Sequence, residues 1–374
     1  MKPNLRVHIP VRPATNYPIY IDDGLLKKIP QWLSDHHVFE NIVVITDHRV
    51  KKHYGLSLVD QLKQKGHRVI LLSFSAGEHS KNNETKQQLE KKMLQQHCNR
   101  QTLCIALGGG VVGDLTGFIA ATFMRGIAYI QIPTTLLAMI DSSVGGKTAI
   151  DTTEGKNLIG AYWQPKAVIA DVACLKTLPT RLIINGLIEA MKMFITSDLA
   201  SFKYAQKNID AILNKDERIL KNIIQRAVKI KADVVNQDEH EKNFRMVLNF
   251  GHTIGHALEK ITHYKLLHGY AVAYGILIEA KISELLGFLN PKKYLIIQSC
   301  LEKLGIFAKD LRKYDVDAVI AATRFDKKTK AGKPRYVFLQ DLGEVHHPQE
   351  TFAHVVDDKI VRMAFLAVIK VIKH

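Results

Sequence analysis

Residues 103–126 read LCIALGGGVVGDLTGFIAATFMRG, and this stretch decides the fold of the first half of the chain. An apolar run is followed by Gly108, Gly110 and Gly113 in a G-x-G-x-x-G pattern, and then by a helix-like segment. The pattern predicts a strand, a tight turn and a helix whose N-terminus can hold a pyrophosphate. It lies several strands into the chain, whereas a standard dinucleotide fingerprint follows the first strand, so an ordinary tight turn is the alternative.

Apolar runs on both sides of this stretch alternate with helical patterns. A helix is predicted over residues 84–97, where acidic residues come first and basic or polar ones later. Short β-rich runs predict strands at 41–47, 67–75, 101–110, 128–135 and 167–175. The first half is therefore predicted to be α/β.

The second half has a different organisation. Between Pro179 and Pro291 there is no proline and there are only six glycines, while apolar residues recur at helical spacing over 210–235 and 268–289. This pattern predicts an all-helical half. A chain of 374 residues is too long for one ordinary core, so we expect two domains, 1–178 and 179–374.

The composition narrows the class of protein. With 47% hydrophobic and 24% charged residues the chain is predicted to be globular, and its scattered cysteines (Cys98, Cys104, Cys174 and Cys300) are expected to be reduced thiols without a nucleophilic role. No apolar run approaches the roughly 18 residues that span a bilayer. The first residues carry charges and prolines, unlike a signal peptide, so a cytoplasmic location and no membrane partner are expected.

The net charge of +16 is compatible with nucleic acid, an acidic surface or a small anionic substrate. The charges are spread without a block of five or six like charges, which favours a solvated basic surface over a nucleic-acid partner. Lys147, Lys156, Lys192 and Arg245 nevertheless lie in glycine-rich or apolar segments. Each is expected to have a partner, because a buried unpaired cation is costly.

The segment RMVLNFGHTIGHALE (245–259) carries a candidate metal site. If residues 246–261 form a helix, Asn249, His252 and His256 share one face. Two imidazoles four residues apart suit a zinc-type ion, and His268 or Glu189 could add a ligand. Helix-surface or hydrogen-bonded histidines are the ordinary alternative.

Residues 133–157, PTTLLAMIDSSVGGKTAIDTTEGKN, combine small hydroxyls, glycines and two Gly-Lys steps. Such a loop can wrap phosphates and sugar hydroxyls. It is not a P-loop, because Asp141 stands where that motif requires its first glycine.

The chain resembles the 3-dehydroquinate synthase family over essentially its whole length. The segments that carry the resemblance are 17–22, 75–81, 108–114, 124–151, 155–171, 174–179, 185–192, 231–235, 238–259, 267–275 and 326–328. The resemblance implies an N-terminal Rossmann-like NAD-binding domain and a C-terminal helical domain, with the active site and a divalent metal, Zn²⁺ or Co²⁺, in the cleft between them. It also implies conversion of 3-deoxy-D-arabino-heptulosonate 7-phosphate (DAHP) to 3-dehydroquinate and phosphate, in the shikimate pathway.

The resemblance assigns roles to individual residues. The metal ligands would be Glu189, His252 and His268, so His256 would instead lie near the phosphate and act, like Glu241, as an acid or base. Positions matching substrate contacts are Arg125, Asp141, Lys147, Asn157, Lys192, Lys231, Arg245, Asn249 and either Lys327 or Lys328. Positions matching NAD contacts are Asp47, Glu78, Lys81, Gly109, Gly110, Asp114, Thr134, Thr135, Lys156, Cys174, Leu175, Lys176 and Thr177.

The sequence departs from the family pattern at a few positions. Tyr270 stands where a Glu is usual, Arg49 where an Asn is usual, and Met193-Phe194 follow Lys192. Arg49 puts the contact to the adenosine ribose in doubt, and Tyr270 could alter the surroundings of His268.

The resemblance also bears on assembly and alternatives. The arginine that matches Arg125 reaches the neighbouring subunit's site in the family, which implies a homodimer. The closest alternative is a sister sugar phosphate cyclase acting on sedoheptulose 7-phosphate or glucose 6-phosphate. A metal-dependent alcohol dehydrogenase of the iron type and a non-catalytic nucleic-acid-binding protein are the remaining ones.

Overall fold

A computed structural model describes residues 16–36, 39–324 and 333–370. Its strands are β1 (Ile19–Asp22), β2 (Asn41–Asp47), β3 (Val69–Phe74), β4 (Thr102–Gly108), β5 (Ala128–Pro133), β6 (Lys147–Ile150), β7 (Ile159–Tyr162), β8 (Val168–Asp171), β9 (Arg335–Tyr336), β10 (Leu339–Asp341), β11 (Glu344–Val345) and β12 (His354–Val355). Its α-helices are α1 (Ile29–His36), α2 (His48–Val50), α3 (Leu56–Gln64), α4 (Asn83–Gln95), α5 (Gly110–Thr122), α6 (Thr180–Ser197), α7 (Leu199–Lys207), α8 (Ile209–Leu213), α9 (Glu217–Gln237), α10 (His252–Ile261), α11 (His268–Leu285), α12 (Pro291–Lys303), α13 (Val316–Thr323) and α14 (Asp358–Ile369).

The N-terminal half is built on a six-stranded sheet in the order β1-β8-β5-β4-β2-β3. Every pairing in it is parallel, and β1 closes one edge with Ile19 opposite Val168 on β8. The five predicted strands are confirmed as β2, β3, β4, β5 and β8. The edge strand β1 was not among the predicted strands.

Helices cover both faces of this sheet. Along β2, Val43 and Ile45 pack with residues of α4 and α5, whereas Ile42 and Val44 pack with residues of α1 and α3. Burial on both faces explains why these strands read as continuous apolar runs rather than as alternating patterns.

The strand order explains the position of the glycine fingerprint. The chain runs from β2 outward to β3, then returns to the other side of β2 as β4 and continues outward through β5 and β8. The neighbours β2 and β4 therefore flank a topological switch point, where open α/β sheets bind ligands at the carboxyl ends of their strands. Gly109 caps α5 directly after β4, so the predicted strand, turn and helix are confirmed.

The C-terminal half is mainly helical, and the proposed boundary at 178/179 falls between the end of β8 and the start of α6. The helical run predicted over 210–235 is two helices, α8 and α9, separated by Asn214–Asp216. The short strands β9 to β12 also interrupt the predicted all-helical half. Within the described ranges, no helix has both the length and the apolar composition needed to cross a bilayer.

Candidate active site

Three helices bring Glu189, His252 and His268 together. Their ligand atoms all lie within 4.8 Å of one another. Glu189 Oε1 is 3.8 Å from His252 Nε2 and 3.5 Å from His268 Nε2. Glu189 is fully buried and its Oε2 accepts a 2.5 Å hydrogen bond from Lys192, but Oε1 has no hydrogen-bond partner among the described residues. A buried carboxylate oxygen facing two imidazoles fits a divalent cation of the zinc kind.

A backbone contact between α6 and α11 sets this geometry. A Cβ atom at Gly269 would lie 2.0 Å from the carbonyl oxygen of Asn185, so only glycine fits there. The Gly269 N–H also donates a 2.8 Å hydrogen bond to the Asn185 side chain. Asn185 precedes Glu189 by one helical turn, and Gly269 follows His268. The contact therefore positions one ligand relative to the other.

The predicted helix over 246–261 is wrong at its start. The helix α10 begins at His252, and Asn249 belongs to a separate 3₁₀ segment, Phe244–Asn249. Gly251 separates the two with a left-handed φ of 78°, and a Cβ there would lie 2.9 Å from the Val272 carbonyl oxygen of α11. Asn249 therefore does not share a helix face with the histidines. Its amide donates to Glu241 Oε1 at 2.7 Å.

Glu259, which was not predicted as a site residue, orients His268. The His268 Nδ1 atom lies 3.0 Å from Glu259 Oε2, and Lys156 Nζ lies 3.1 Å from Glu259 Oε1. Burial would raise the pKa of Glu259, but the charge and hydrogen bond of His268 outweigh it and lower the pKa to about 2. A carboxylate on one ring nitrogen fixes the tautomer and turns the other nitrogen towards a metal. The sequence feature that could have identified Glu259 is its location three residues after His256 in an apolar helix.

The two histidines of the H-x-x-x-H pair belong to different clusters. His252 groups with Glu189 and His268, whereas His256 groups with Glu259 and His268. Because Glu259 already holds the Nδ1 side of His268, the first cluster is the better cation site. The geometry thus supports Glu189 over His256 as the third ligand.

A cavity of about 680 Å³ is lined by several cations. Its lining includes Asp114, Asp141, Lys147, Asn157, Lys231, Glu241, Arg245, Asn249 and Arg335. Two of these cations are ion-paired, Lys147 with Glu241 and Lys231 with Asp141, while the Arg245 guanidinium donates to the Glu239 carbonyl oxygen. The expectation that Lys147, Lys156, Lys192 and Arg245 have partners is confirmed. Burial lowers the pKa of Lys231 despite the Asp141 charge.

A second cavity, of about 390 Å³, continues from the first and shares Asp114, Asp141 and Asn157 with it. Gly110 at the start of α5 lines it on one side, and His256 and His268 line it on the other. The N-terminus of the fingerprint helix and the candidate ligand His268 therefore line one cleft.

Comparison with known proteins agrees with this arrangement. Residues 71–185 match the family described as 3-dehydroquinate synthase N-terminal, and residues 186–329 match 3-dehydroquinate synthase C-terminal. The chain belongs to the 3-dehydroquinate synthase family. The 3-dehydroquinate synthase of Desulforamulus reducens is 42% identical over 331 residues, which cover 88% of this chain and 92% of that protein.

Two solved structures share the fold of this 3-dehydroquinate synthase family member. One is 2-deoxy-scyllo-inosose synthase in complex with carbaglucose-6-phosphate, NAD⁺ and Co²⁺, with a TM-score of 0.86 and 26% identity over 93% of this chain and 95% of that one. The other is 2-epi-5-epi-valiolone synthase from Streptomyces hygroscopicus with NAD⁺ and Zn²⁺ bound. Its TM-score is 0.87 at 23% identity, over 97% of this chain and 99% of that one, which shows the common fold.

The residues predicted from the 3-dehydroquinate synthase resemblance to contact NAD lie in two places. Glu78, Lys81, Gly110, Asp114 and Lys156 line the smaller cavity, where Lys81 Nζ is 2.5 Å from Asp114 Oδ2. The remaining ones lie at the carboxyl ends of strands: Asp47 is the last residue of β2, Gly109 follows β4, Thr134 and Thr135 follow β5, and Cys174 to Thr177 follow β8.

Tyr54 hydrogen-bonds to the segment Cys174 to Thr177, which follows β8. Its hydroxyl donates to the Cys174 carbonyl oxygen at 3.0 Å and lies 2.6 Å from Thr177 Oγ1. Asp47 caps α2 by accepting from the backbone N–H groups of Arg49 and Val50. The Arg49 side chain is exposed, so its backbone and not its charge contributes to this turn.

Some predicted site residues do not converge on the cleft. Arg125 is exposed in a turn after the far end of α5, and a helix of 13 residues is about 20 Å long. It lies outside the linings of both cavities formed by the described residues. Lys327 and Lys328 lie outside the described residues.

Three of the positions that depart from the family pattern pack in the interior. Tyr270 packs against the helical core, where burial raises its pKa, and Met193 and Phe194 are fully buried.

Proposed function

We propose that this chain is a 3-dehydroquinate synthase that converts DAHP to 3-dehydroquinate and phosphate. The observation that carries the proposal is the Glu189–His252–His268 cluster with its buried, unpartnered carboxylate oxygen. His268 of this cluster lines the smaller cavity, which shares Asp114, Asp141 and Asn157 with the larger cavity that several cations line. DAHP carries a phosphate and a carboxylate, and such a cavity suits a doubly anionic sugar. Membership in the family and the 42% identical relative support the same assignment.

We propose NAD and Zn²⁺ or Co²⁺ as cofactors. Glu189, His252 and His268 would hold the metal, and the N-terminus of α5 would receive the pyrophosphate of NAD. When bound, NAD⁺ would accept a hydride from the substrate carbon that carries a hydroxyl and later return it, and the metal would polarise the oxygens at the reacting carbons. The neighbouring structures that contain NAD⁺ with Co²⁺ or Zn²⁺ support this pair.

The chain's own side chains bind and orient the substrate. Lys147, Lys231 and Arg245 come from three separate elements, so they can clamp two anionic groups in a fixed relative position. Glu241 and Asp141 neutralise Lys147 and Lys231 until the substrate anions replace these carboxylates. Lys192 holds Glu189 in place through Oε2.

Glu241 and His256 are the proposed proton carriers. Glu241 has a left-handed φ of 57°, and its carboxylate is bonded by Asn249 and Lys147. A non-glycine residue held in this conformation at a cleft is typical of functional positions. Departure of phosphate requires removal of a proton from the carbon next to a carbonyl, and Glu241 or His256 would accept it.

We also propose that the chain acts as a cytoplasmic homodimer with domains 1–178 and 179–374. The exposed Arg125, far from its own cleft, supports a role for that residue in a neighbouring subunit's site. Without such a role its distance from the cleft leaves it no substrate contact.

Phosphate release from DAHP by purified protein tests the function. We expect release that requires NAD and is abolished by a chelator. Sedoheptulose 7-phosphate is the comparison substrate, and turnover of it instead of DAHP would favour a sister cyclase. No phosphate release from either substrate would refute the proposal.

Substitution of His268 tests the assignment of the metal ligands. We expect His268→Ala to lose both bound zinc and turnover, whereas His53→Ala, at an exposed position, should keep both. Full zinc occupancy in the His268→Ala protein would show that the ligand set is wrong.

A further inference from the structure

The larger cavity contains a cation that no sequence motif had singled out. Arg335 on β9 lines it together with Lys147, Lys231 and Arg245. These four residues come from four separate elements of the chain. A cluster of four cations exceeds what a single anionic group requires.

The backbone of Arg335 is fixed from two sides. Its carbonyl oxygen accepts a 2.6 Å hydrogen bond from Thr253 Oγ1, and Thr253 follows the candidate ligand His252. On the other side Arg335 pairs with Val355 of β12. The half-buried Arg335 side chain therefore lines the cavity from a backbone that is hydrogen-bonded to α10, the helix that carries the candidate ligand His252.

The cations differ in depth. Arg245 is 2% exposed and Lys231 is 8% exposed, whereas the Lys147 side chain is 45% exposed and Arg335 is half-buried. Arg245 and Lys231 thus form the deep end of the cavity, and Lys147 and Arg335 form its mouth. In the proposed reaction phosphate is released and the carboxylate stays on the product. A leaving group bound at the mouth can depart to solvent without passing the retained part of the substrate.

We infer that Arg335 binds the phosphate group of the substrate at the cavity mouth, together with Lys147. This inference rests on the proposed function. The planar guanidinium offers two parallel N–H donors that match two phosphate oxygens. The deep cations Arg245 and Lys231 are then left to the carboxylate.

Inorganic phosphate and 3-dehydroquinate separate the two anionic groups, because each carries only one of them. Calorimetric titration of the protein loaded with NAD and zinc gives the affinity for each compound. We expect Arg335→Gln to weaken phosphate binding at least about tenfold and to change 3-dehydroquinate binding less than about twofold. The phosphate affinity of Arg335→Lys should lie between that of Arg335→Gln and that of the unchanged protein, because lysine keeps the positive charge but lacks the two parallel donors of the guanidinium. Arg218→Gln, on the exposed face of α9, is the matched control and should change neither.

Turnover provides a second readout. The KM for DAHP should rise in Arg335→Gln by a factor similar to the loss of phosphate affinity, with a smaller change in kcat. Because the bond to Thr253 uses the backbone, the unfolding temperature should stay close to that of the unchanged protein.

Three results would overturn the inference. They are unchanged phosphate affinity in Arg335→Gln, a loss confined to 3-dehydroquinate, and absence of phosphate binding in the unchanged protein. Failure of the proposed function looks different. In that case the unchanged protein does not process DAHP, yet its phosphate affinity still depends on Arg335.

Discussion

Gly269 packs directly on the backbone of Asn185, so closely that a Cβ atom would lie 2.0 Å from the Asn185 carbonyl oxygen. This contact joins α6 to the first turn of α11. One helical turn beyond it on α6 is Glu189, and one residue before it on α11 is His268. The 3.5 Å separation of Glu189 Oε1 from His268 Nε2 therefore depends on a position that has no side chain.

Gly269→Ala tests this dependence. The added methyl group must push α11 away from α6, so we expect lower stability, by about 1–3 kcal/mol or more, and loss of bound metal. Denaturant unfolding and metal analysis measure the two effects. Gly55→Ala is the control, because an added Cβ there would meet its nearest atom at an ordinary 3.6 Å. Normal metal content in Gly269→Ala would show that the ligands do not depend on this contact.

Glu259→Gln tests how His268 is oriented. The amide keeps the size of the carboxylate but loses the charge that holds the Nδ1 proton, so zinc affinity should fall about 10- to 100-fold. Competition with a fluorescent chelator gives the affinity. Glu302→Gln, on α12 away from the cleft, should leave it unchanged. Equal zinc affinity in both variants would indicate that Glu259 does not orient His268 and that its ion pair with Lys156 is its only role at the site.

Arg245→Ala tests anion capture at the deep end of the cavity. Loss of a buried charge-assisted contact should weaken DAHP binding by roughly 1.5–3 kcal/mol or more, while NAD affinity should stay nearly constant. Arg226→Ala removes a comparable arginine that packs on Tyr204, and it should affect neither ligand. Equal losses for DAHP and NAD in Arg245→Ala would indicate that Arg245 is structural.

Asp151→Asn tests a pH dependence of stability. Burial raises the pKa of Asp151 from 3.8 to about 6, so the folded protein holds this proton more tightly than the unfolded chain does. The free energy of unfolding should therefore fall as pH rises from about 4 to 6 and then stay lower. Asparagine keeps the oxygen that accepts the 2.9 Å hydrogen bond from Asn157 but does not titrate.

The variant should consequently be more stable at pH 7.5, by about 1 kcal/mol once solvent screening at this half-buried site is taken into account, and equally stable below about pH 4. Urea unfolding across this range measures the difference. Asp60→Asn, at an exposed position, is the control. A stability gain that is the same at pH 4 and pH 7.5 would exclude titration of Asp151 as its cause.

Mixing of inactive variants tests the shared site. Arg125→Ala and Lys192→Ala proteins should each be nearly inactive and should regain activity after subunit exchange, because a heterodimer contains one site with both residues intact. Lys192→Ala mixed with Lys231→Ala should show no recovery, since Lys192 holds Glu189 and Lys231 lines the larger cavity of the same chain. Pull-down of tagged subunits confirms exchange. No recovery among exchanged Arg125→Ala and Lys192→Ala heterodimers would place Arg125 in its own chain's function.

The sequence predicted features that local patterns determine, and it missed features that depend on contacts between separate elements. The strands β2 and β4 were predictable because burial on both faces makes them continuously apolar. The helix break at Gly251 was not predictable, because the left-handed turn is required by close packing on Val272, which belongs to another helix, α11. A local helical pattern carries no information on that contact.

The same reasoning applies to the site residues. Family motifs predicted Glu189, His252 and His268, which the structure brings together. Glu259 was missed because its role comes from a hydrogen bond to a residue across a turn. Arg335 lies on a strand of only two residues, and its place in the cavity depends on pairing with β12 and on Thr253.

The pairing of β1 with β8 has a consequence for how the chain folds. Ile19 and Val168 face each other across the sheet edge, about 150 residues apart in the sequence. Closing so large a loop is entropically costly, and during synthesis β8 emerges long after β1. We expect the first strand made to be the last one to join the sheet. Asp171 then locks it by accepting the backbone N–H groups of Gly24 and Leu26. Until that moment the nascent domain presents an unpaired strand edge, the kind of surface on which chaperones act.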